Sequence, residues 1–430
     1  MRLSGSRPDC NNPKLAIPTR RLPFTNLGPM TTPNPTDAGS QPASGLVDRF
    51  GRRHTDLRVS VTDRCNLRCT YCMPCSGVAF RPHEEILTYE EIARFVTVAA
   101  ELGIRCVRLT GGEPLVRRGV VDLVKMLGCI PGIDEVTMTT NAVLLTPFAG
   151  PLFAAGLRRI NVSLDTVDRE CYRRLTQRDE LPSALAGIEA ARRAGFQRIK
   201  LNALAIRGFT EDQVLPLARF ARSEGLELRF IEYMPTVANC GGSDYSEEVG
   251  LCGDSRGVPG TPADEPNKPP AEAREPGLAP ASEGHSQPIG PVPVGSTAEN
   301  WSPRQVLAGD EILRILAAEY GPATAIAADR AGAPATEYRF DDGGRVGIIR
   351  SVTAPFCGAC TRLRLTADGR LRNCLFDQAT LDVRGILRRD QDDAPLREIL
   401  LRSVGHKQPF RGSCHGGLVA TDRPMHQIGG

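Results

Sequence analysis

Strand-like and helix-like hydrophobic patterns alternate along residues 57–232. Helical periodicity covers Tyr89–Leu102, Ala184–Ala194 and Glu211–Ser223, and short apolar, β-branched runs lie between such stretches. The strand-like runs are Leu57–Thr62, Cys106–Thr110, Glu135–Thr140, Arg159–Leu164, Arg198–Ala205 and Glu227–Glu232. Strands that alternate with helices predict a parallel sheet with crossover connections. Six units in series predict an α/β fold, a partial (β/α)6 barrel with its chemistry at the C-terminal ends of the strands.

Polar, Pro-rich and Gly-rich segments divide the chain into four predicted parts. Residues 1–45 are rich in Pro, Gly, Ser and Thr, which predicts a disordered N-terminal tail. Residues 46–236 form the predicted barrel. Residues 237–299 are a predicted flexible insertion, because Cys240–Ala298 holds ten Pro and ten Gly. Residues 300–430 form a C-terminal extension, with helical periodicity at Pro303–Tyr320 and strand-like runs around Glu337–Arg339, Val346–Ser351 and Leu363–Thr366.

The composition excludes several classes of protein. The 430 residues include 53 Lys and Arg against 50 Asp and Glu, and a net charge of +3 is too small for a general nucleic-acid binder. No run of about 18 apolar residues occurs, so no membrane-spanning helix is expected. The 14 cysteines are too dilute for a disulfide scaffold, and no signal-peptide pattern opens the chain. We therefore expect a cytoplasmic protein whose clustered cysteines serve metal or redox chemistry.

The N-terminal tail has an excess of basic residues, as transit peptides do. Pro8, Pro13, Pro18 and Pro23 would break the amphipathic helix that such a peptide needs. We therefore expect a tail without a targeting role, and Met30 is an alternative start that would shorten it.

Three cysteines follow the first predicted strand, in the run Cys65-Asn-Leu-Arg-Cys69-Thr-Tyr-Cys72. Thiolates at this spacing can hold three irons of a 4Fe–4S cluster and leave the fourth iron open. A zinc knot is the alternative, although structural zinc sites prefer four ligands. Cys75 lies three residues further on and leaves a fourth thiolate open as a possibility.

The second predicted strand ends in a turn, Thr110-Gly111-Gly112-Glu113-Pro114. Two glycines allow close approach of the backbone to a ligand, and a carboxylate can pair with a cationic amine. Alone this turn is weak evidence for a ligand site, because most glycine-containing turns have only a structural role.

A second set of three cysteines lies in the C-terminal extension, at Cys357, Cys360 and Cys374. Spacing alone leaves zinc and an iron–sulfur cluster equally open, with Cys414 or His415 as distant fourth ligands for zinc.

Two arginines alternate with leucine directly after the second of these cysteines, in Cys360-Thr-Arg362-Leu-Arg364. Alternate residues of an extended segment point to one face, and guanidinium groups fit phosphate oxygens in a bidentate manner. A solvated charged edge is the alternative. The chain has neither a Walker-type nor a dinucleotide-binding glycine motif, so a triphosphate would need side-chain cations.

The run from Leu57-Arg-Val-Ser-Val-Thr-Asp-Arg-Cys65 through Cys72-Met-Pro resembles the radical S-adenosylmethionine (SAM) superfamily. Within it, the chain resembles the GTP 3′,8-cyclase family of molybdenum cofactor biosynthesis. The resemblance covers roughly Asp48–Met234 and Trp301–Gly430. It departs at Cys75, in the N-terminal tail and in the insertion, and it is poor over Gln408–Pro424. It implies a radical-SAM barrel whose C-terminal extension carries a second iron–sulfur cluster.

The resemblance implies cofactors and site residues. The cofactors are SAM and two 4Fe–4S clusters, one held by Cys65, Cys69 and Cys72 and the other by Cys357, Cys360 and Cys374. SAM contacts are implied at Tyr71, Gly112, Glu113, Ser163 and Met234. GTP contacts are implied at Arg58, Arg108, Thr139, Lys200, Arg362, Leu363 and Arg364. Catalytic roles are implied for Arg362, Arg364 and the terminal Gly429 and Gly430, which on physical grounds alone would be a frayed end.

The implied reaction is a radical cyclisation of the lyase class. A 5′-deoxyadenosyl radical takes hydrogen from ribose C3′ of GTP, and the ribose radical attacks C8 of guanine to give (8S)-3′,8-cyclo-7,8-dihydroguanosine 5′-triphosphate. The implied partners are the cyclic pyranopterin monophosphate synthase and a reductant protein, and a homodimer is left open. No nucleic-acid or membrane partner is expected. The alternatives are another two-cluster radical SAM enzyme acting on a peptide or other small substrate, and a zinc-binding structural or interaction module.

Overall fold

Twelve strands of the described residues hydrogen-bond into a sheet. The structure is a computed structural model that describes residues 45–73, 78, 80–236, 301–327, 332–377, 380–389, 391–410 and 421–429. The strands are β1 (Asp56–Ser60), β2 (Cys106–Thr110), β3 (Glu135–Thr140), β4 (Arg159–Ser163), β5 (Arg198–Ala205), β6 (Glu227–Glu232), β7 (Ala323–Ile326), β8 (Thr336–Phe340), β9 (Arg345–Ile349), β10 (Arg362–Leu365), β11 (Arg370–Arg372) and β12 (Leu381–Asp382).

Helices connect the strands, and most of them cover the outer face of the sheet. They are α1 (Tyr89–Glu101), α2 (Val120–Gly128), α3 (Leu145–Ala154), α4 (Arg169–Thr176), α5 (Leu181–Arg193), α6 (Val214–Ser223), α7 (Gly309–Tyr320), α8 (Arg384–Arg389), α9 (Ala394–Gly405) and α10 (Met425–Ile428). A capping box starts α1, since Thr88 Oγ1 accepts from Glu91 N and Glu91 Oε2 accepts from Thr88 N. Its residues Ile92, Phe95 and Val96 are fully buried against the sheet, as an amphipathic helix requires.

The strand order is β12-β11-β10-β1-β2-β3-β4-β5-β6-β9-β8-β7. Strands β1 to β6 run parallel in chain order, and β10 and β9 add to their two edges, also in parallel. The C-terminal extension therefore completes both edges of the barrel sheet, because β1 and β6 would otherwise present unpaired backbone groups.

The predicted α/β fold is confirmed. The six predicted strands agree with β1 to β6 within two residues at each end, and the predicted runs around Glu337–Arg339, Val346–Ser351 and Leu363–Thr366 correspond to β8, β9 and β10. The predicted helix over Glu211–Ser223 begins with a 3₁₀ turn at Glu211–Gln213 and becomes α-helical at Val214. Except for Gly45, the predicted N-terminal tail lies outside the described residues, as does the predicted insertion, so the four-part division stays a prediction.

Side chains alternate between two environments along the barrel strands. Val59, Leu109, Met138, Ile160 and Leu201 point outward and are fully buried under the helices. The residues between them are mostly polar and point into the barrel, where a purely structural barrel would carry packed branched side chains. The inner face is thus shaped for a polar ligand. Among the described residues, no helix has both the length and the apolar character that a membrane span needs.

Candidate active site

The inner face of the barrel surrounds a cavity of about 640 Å³. Alternate residues of the parallel strands line it, and both cysteine sets lie on its wall. The strand residues on the wall include Arg58, Cys106, Arg108, Thr137, Thr139, Arg159, Asn161, Ser163, Arg198, Lys200, Asn202, Arg229, Arg362 and Arg364. One cavity therefore collects nearly all the chemistry that the sequence singled out. The first cysteine set lies at the C-terminal ends of the strands, where it is expected, whereas Cys357 and Cys360 precede β10 and lie toward the N-terminal ends.

The loop after β1 presents Cys65, Cys69 and Cys72 to this cavity. Cys72 N donates to the carbonyl of Cys69 at 3.0 Å, which closes a turn between these two cysteines. The Cys65 sulfur accepts from Leu67 N at 3.4 Å and from Asn141 Nδ2 at 3.8 Å. The loop is thus held by its own backbone and by the residue that follows β3.

The turn that contains the two glycines after β2 packs against the backbone that leads into this cysteine loop. Gly112 N donates to Thr62 O at 2.7 Å, and Glu113 N donates to Arg64 O at 2.8 Å. A Cβ atom at Gly112 would lie 2.2 Å from Arg64 O, and one at Gly111 would lie 2.7 Å from Thr62 O. Glycine is therefore required because the turn packs on the backbone that leads into Cys65, a role that the sequence pattern alone did not reveal.

Glu113 is almost completely buried, and both of its carboxylate oxygens are engaged. Oε1 accepts from Leu115 N at 3.1 Å and from Thr140 Oγ1 at 2.8 Å, and Oε2 accepts from Asn141 N at 2.7 Å. Burial raises the pKa of Glu113 to about 7 against these hydrogen bonds. Its carboxylate lines the cavity without a cationic partner among the described residues, so it can take up a ligand ammonium group.

Asp165 lies at the end of β4 and holds Tyr71 within the cysteine loop. The Tyr71 hydroxyl donates to Asp165 Oδ2 at 2.6 Å, and Leu204 N donates to Oδ1 at 2.7 Å. Burial raises the pKa of Asp165. The sequence analysis assigned no role to Asp165, although a carboxylate just after a barrel strand is a signal that could have identified it.

The three thiols of the first set are too buried to ionise by themselves. Burial raises the pKa of Cys65 to about 11 and that of Cys72 to about 12, and the pKa of Cys69 is raised well above its ordinary value by burial and by the other two cysteines. Three thiolates can coexist here only with a cationic group between them. The donor set and its burial fit an iron–sulfur cluster.

The second cysteine set lies beside positive charge. Cys357, Cys360 and Cys374 line the same cavity, and Cys360 N donates to the carbonyl of Cys357 at 3.1 Å. Burial opposes ionisation of Cys360, but the charges of Arg362 and Lys407 prevail and lower its pKa to about 7. Lys407, which is buried, bridges the carbonyls of Arg362 and Asn373 at 2.8 and 2.6 Å. Cys360 is therefore prepared for the thiolate form.

The described cysteine sets, with three thiols each, fit an iron–sulfur cluster better than a structural zinc ion, which prefers four ligands. One zinc ion needs all its ligands about 2.0–2.3 Å from a single centre, whereas a 4Fe–4S cluster spreads three cysteines over three irons. Two sets of three thiols around one cavity fit two clusters. Cys75, Cys414 and His415, which the sequence left open as further ligands, lie outside the described residues.

Four arginines on adjacent strands form the most positive part of the cavity. Arg58 on β1 is in register with Arg364 on β10 and with Arg108 on β2, and Arg362 lies two residues before Arg364 on the same face. We call these four residues the arginine row. Among the described residues none of the four forms an ion pair with a carboxylate.

Repulsion within the arginine row shows in the ionisation of its members. Burial, together with the charges of Arg364, Arg362 and Arg108, lowers the pKa of Arg58 well below its ordinary value. Burial and neighbouring arginines also lower the pKa of Arg108 and of Arg364 to about 10. Such a cluster of unpaired guanidinium groups fits a ligand with several negative charges.

The opposite side of the cavity carries cations that already have partners. Arg159 pairs with Glu135 at 2.7 Å, Arg229 pairs with Glu337 at 2.7 Å, and Lys200 pairs with Glu227. Sequence reasoning chose Lys200 and missed Arg159 and Arg229, although all occupy inward positions on their strands. Alternation along a barrel strand is the signal that could have found them.

The remaining predicted residues divide between the cavity and the core. Tyr71, Gly112, Thr139, Ser163 and Met234 line the cavity, so their predicted contacts with SAM or GTP are sterically open and stay predictions. The Leu363 side chain points away from the cavity, between Arg362 and Arg364, and is fully buried in the hydrophobic core. Any contact between Leu363 and GTP must therefore use its backbone.

The end of the chain returns to the mouth of the barrel. Gly429 has a positive φ of 81°, and its carbonyl accepts from Arg364 Nη1. A Cβ atom at Gly429 would lie 2.5 Å from Thr110 Oγ1, at the C-terminal end of β2. His426 is buried beside the first cysteine loop, with Nδ1 3.5 Å from the carbonyl of Cys72. Gly430 lies outside the described residues.

Comparison with known proteins assigns the class first. The model of the Radical SAM superfamily matches residues 59–221, and the model named Molybdenum Cofactor Synthesis C matches residues 289–411. The barrel with its three-cysteine loop thus defines a radical SAM protein, and membership confirms the prediction of SAM and 4Fe–4S cofactors.

Full-length relatives identify the family within that class. The chain is 40% identical over 389 residues to a GTP 3′,8-cyclase of Rhodopirellula baltica, covering 90% of this chain and 92% of the relative. It is 38% identical over 386 residues to a GTP 3′,8-cyclase of Moorella thermoacetica, covering 90% of this chain and 100% of the relative. A Corynebacterium glutamicum GTP 3′,8-cyclase is 37% identical over 409 residues, with 92% of each chain covered. The chain belongs to the GTP 3′,8-cyclase family.

Proposed function

We propose that this protein is a GTP 3′,8-cyclase that converts GTP to (8S)-3′,8-cyclo-7,8-dihydroguanosine 5′-triphosphate, an early step of molybdenum cofactor biosynthesis. The observation that carries the proposal is the arginine row, four cationic side chains without carboxylate partners among the described residues, on the wall of a cavity that both cysteine sets also line. A triphosphate offers the matching charge.

Cys65, Cys69 and Cys72 would hold the first cluster, with SAM beside it. When bound, this cofactor pair supplies a 5′-deoxyadenosyl radical that takes the hydrogen from ribose C3′ of GTP. Glu113 holds the ammonium group of SAM, and Tyr71, fixed by Asp165 at 2.6 Å, keeps the loop in place. Ser163, Gly112 and Met234 complete the SAM contacts on the cavity wall.

The arginine row places the triphosphate along β10, β1 and β2. Arg362 and Arg364 hold the phosphates between the second cysteine set and the barrel mouth, since both lie on the strand that follows Cys360. Thr139 and Lys200, on β3 and β5, contact the nucleoside from the far side of the cavity. Fixing both ends of GTP restricts the ribose to one orientation, and this positioning is the main contribution of the chain to the cyclisation.

Cys357, Cys360 and Cys374 would hold a second cluster next to the purine. Arg362 and Lys407 stabilise the thiolate of Cys360 that such a cluster needs. Gly429 and Gly430 at the end of the chain are proposed to shield the reacting ribose from solvent, because the Gly429 carbonyl lies on Arg364.

The proposed partners are the cyclic pyranopterin monophosphate synthase, which takes the cyclised product, and a protein that supplies electrons. A cytoplasmic location completes the proposal, and a homodimer stays open. These assignments rest on membership in the family.

Anaerobic turnover tests the function. Protein reconstituted with iron and sulfide is incubated with GTP, SAM and a strong reductant, and the nucleotides are separated and identified by mass spectrometry. We expect about eight irons for each chain and one cyclised nucleotide for each 5′-deoxyadenosine. Formation of 5′-deoxyadenosine without a GTP-derived product would favour a radical SAM enzyme of another substrate class. Stoichiometric zinc without iron would overturn both.

A further inference from the structure

The last described residues, 421–429, which we call the C-terminal tail, are attached to the hairpin of β10 and β11. Asp422 forms two contacts with the guanidinium of Arg372, at 2.6 Å from Oδ1 to Nη2 and at 3.2 Å from Oδ2 to Nη1. Arg372 is completely buried, and its Nη2 also donates to the carbonyls of Asp377 and Leu375. Asp422 therefore neutralises a guanidinium that has no access to water.

A second ion pair of opposite polarity follows directly. Arg423 Nη1 lies 3.0 Å from Oδ2 of Asp368, a residue in the turn of the same hairpin with 8% of its surface exposed. The hairpin offers a cation and an anion, and the tail offers an anion and a cation. A shift of the tail by one residue would place like charges together, so the two pairs specify one register for the tail.

This register determines where the tail reaches. From Arg423 the chain enters α10, which brings His426 to the carbonyl of Cys72 and the Gly429 carbonyl to Arg364. Thr421 Oγ1 also donates to Arg423 O at 2.7 Å, which tightens the root of the tail. Residues 421–429 thus connect the two ion pairs at Asp422 and Arg423 to the first cysteine loop and to the arginine row.

The hairpin of β10 and β11 carries Arg372 and Asp368, the partners of the tail, and it also leads into two parts of the candidate active site. Arg364 lies on β10, and Cys374 follows Arg372 by two residues. Because Arg372 is fixed between Asp422 and the carbonyls after Cys374, the tail and the second cysteine set share one support.

We propose that the pairs Asp422–Arg372 and Arg423–Asp368 form a clamp that positions the C-terminal tail, so that Gly429 stays on Arg364 at the end of the arginine row. The four residues are positioning residues that act through Gly429. The reaction part of this inference rests on the proposed function, whereas the positioning of the tail does not.

The test uses variants of the tail alone, Asp422→Asn and Arg423→Gln, singly and together, in the full-length protein. Asp179→Asn is the matched control, because Asp179 forms an exposed ion pair with Arg169 at 2.7 Å. Hydrogen–deuterium exchange of the C-terminal peptide is measured by mass spectrometry, in the iron-free protein and in the reconstituted one. We expect exchange of the tail amides to rise about ten-fold or more in the double variant and to stay unchanged in the control.

The second readout is the ratio of cyclised nucleotide to 5′-deoxyadenosine. We expect SAM cleavage to continue and the ratio to fall about ten-fold in the double variant, because the substrate is no longer enclosed. Arg423→Asp alone should raise exchange of the tail amides and lower the product ratio. Arg423→Asp together with Asp368→Arg reverses the second ion pair and should return both measurements toward the wild-type values.

Unchanged exchange in the double variant, or no rescue of exchange by the reversed pair, would overturn the clamp. An unchanged product ratio despite faster exchange would overturn its role in the reaction. Failure of the proposed function gives a different pattern, in which wild-type protein itself makes no cyclised nucleotide while the exchange data still report on the clamp.

Discussion

Arg58 and Arg364 are register partners on adjacent parallel strands, although Arg58 precedes the first cysteine set and Arg364 lies between Cys360 and Cys374 of the second. Neither forms an ion pair with a carboxylate among the described residues, and burial together with the charge of Arg364 lowers the pKa of Arg58. Like charges held on neighbouring strands destabilise the free protein and favour the binding of a polyanion.

The arginine row predicts that affinity and stability change in opposite directions. Arg58→Met keeps the length of the side chain and removes one charge, so the free protein should melt at an equal or higher temperature. Affinity for GTP should fall about ten- to a hundred-fold, the effect of losing a charge-assisted phosphate contact. Thermal unfolding and equilibrium binding measure the two. Arg169→Met, on the exposed surface, is the control and should leave GTP affinity unchanged.

Arg362→Ala and Arg364→Ala should weaken GTP binding to a similar degree with both clusters intact. Unchanged affinity in these variants would show that the arginine row is only a charged surface.

The two cysteine sets should separate SAM cleavage from cyclisation. Serine at Cys65, Cys69 or Cys72 should abolish formation of 5′-deoxyadenosine. Serine at Cys357, Cys360 or Cys374 should leave some SAM cleavage and no cyclised nucleotide, with iron falling from about eight to about four for each chain. Iron analysis and product quantification check this. Cys106→Ser, which replaces a cavity-lining cysteine outside both sets, is the control. Equal loss of iron from both sets in every variant would contradict separate sites.

Gly112 should tolerate no side chain. The Cβ of Gly112→Ala would lie 2.2 Å from the carbonyl oxygen of Arg64, so the turn must move away from the loop that carries Cys65. We expect the variant to fold but to incorporate iron poorly at the first set and to lose SAM cleavage. Gly150→Ala is the matched control, since nothing lies within 4 Å of the added atom. Normal iron content and normal SAM cleavage in the Gly112 variant would show that the turn is not a support for the loop.

A buried network near the N-terminal end of the barrel should make stability depend on pH. Asp48 Oδ2 accepts from Arg52 Nε at 2.6 Å and lies 3.0 Å from His54 Nε2, and Arg52 Nη1 donates to the carbonyl of Cys357 at 2.6 Å. Burial lowers the pKa of His54 from 6.5 to about 4, and hydrogen bonds lower that of Asp48 to about 2 although burial opposes them.

The unfolded chain takes up a proton at His54 below pH 6.5, whereas the folded protein does so only near pH 4. Stability from this residue is therefore complete above pH 6.5 and is lost as the pH falls to about 4, by about 3 kcal/mol. Asp48 adds a loss that begins below pH 3.8. Urea unfolding at pH 7.5 and at pH 4.5 measures this dependence. A His54→Gln variant should show a smaller difference between the two pH values, and an equal difference would assign the dependence to other groups.

Cyclisation should require a glycine at position 429, because there is no room for a side chain there. Gly429→Ala adds an atom 2.5 Å from Thr110 Oγ1 at a residue with positive φ, so the tail should withdraw from Arg364. The variant is expected to fold, to hold both clusters and to cleave SAM, with cyclised nucleotide reduced about ten-fold or more. Removal of Gly429 and Gly430 together should give the same result. Gly405→Ala, at a residue with open space around it, controls for a general effect of alanine. Full cyclase activity in both tail variants would return the last residues to a frayed end.

Much of this site could be predicted from the sequence because its parts are local. The alternation of apolar and polar residues identified all six barrel strands, and short spacings identified Cys65, Cys69 and Cys72 as one set. The neighbourhood of Arg58 and Arg364 could not be predicted, because it depends on β10 pairing with β1 across most of the chain. The same holds for Arg52, whose guanidinium reaches Cys357, and for Asp422, whose partner is decided by the return of the tail. Pairing of distant strands depends on tertiary packing, which periodicity does not report.

The placement of β10 beside β1 and of β9 beside β6 has a consequence for synthesis of the protein. When the ribosome has released residues up to 236, the six-stranded half still has two bare edges, and their partners are not yet made. These edges can pair with another nascent chain until residues 345–365 emerge. A fragment that ends at 236 should therefore aggregate when expressed alone. Co-expression with a fragment that begins at 301 should recover it in solution, because the second fragment brings the strands that belong at both edges.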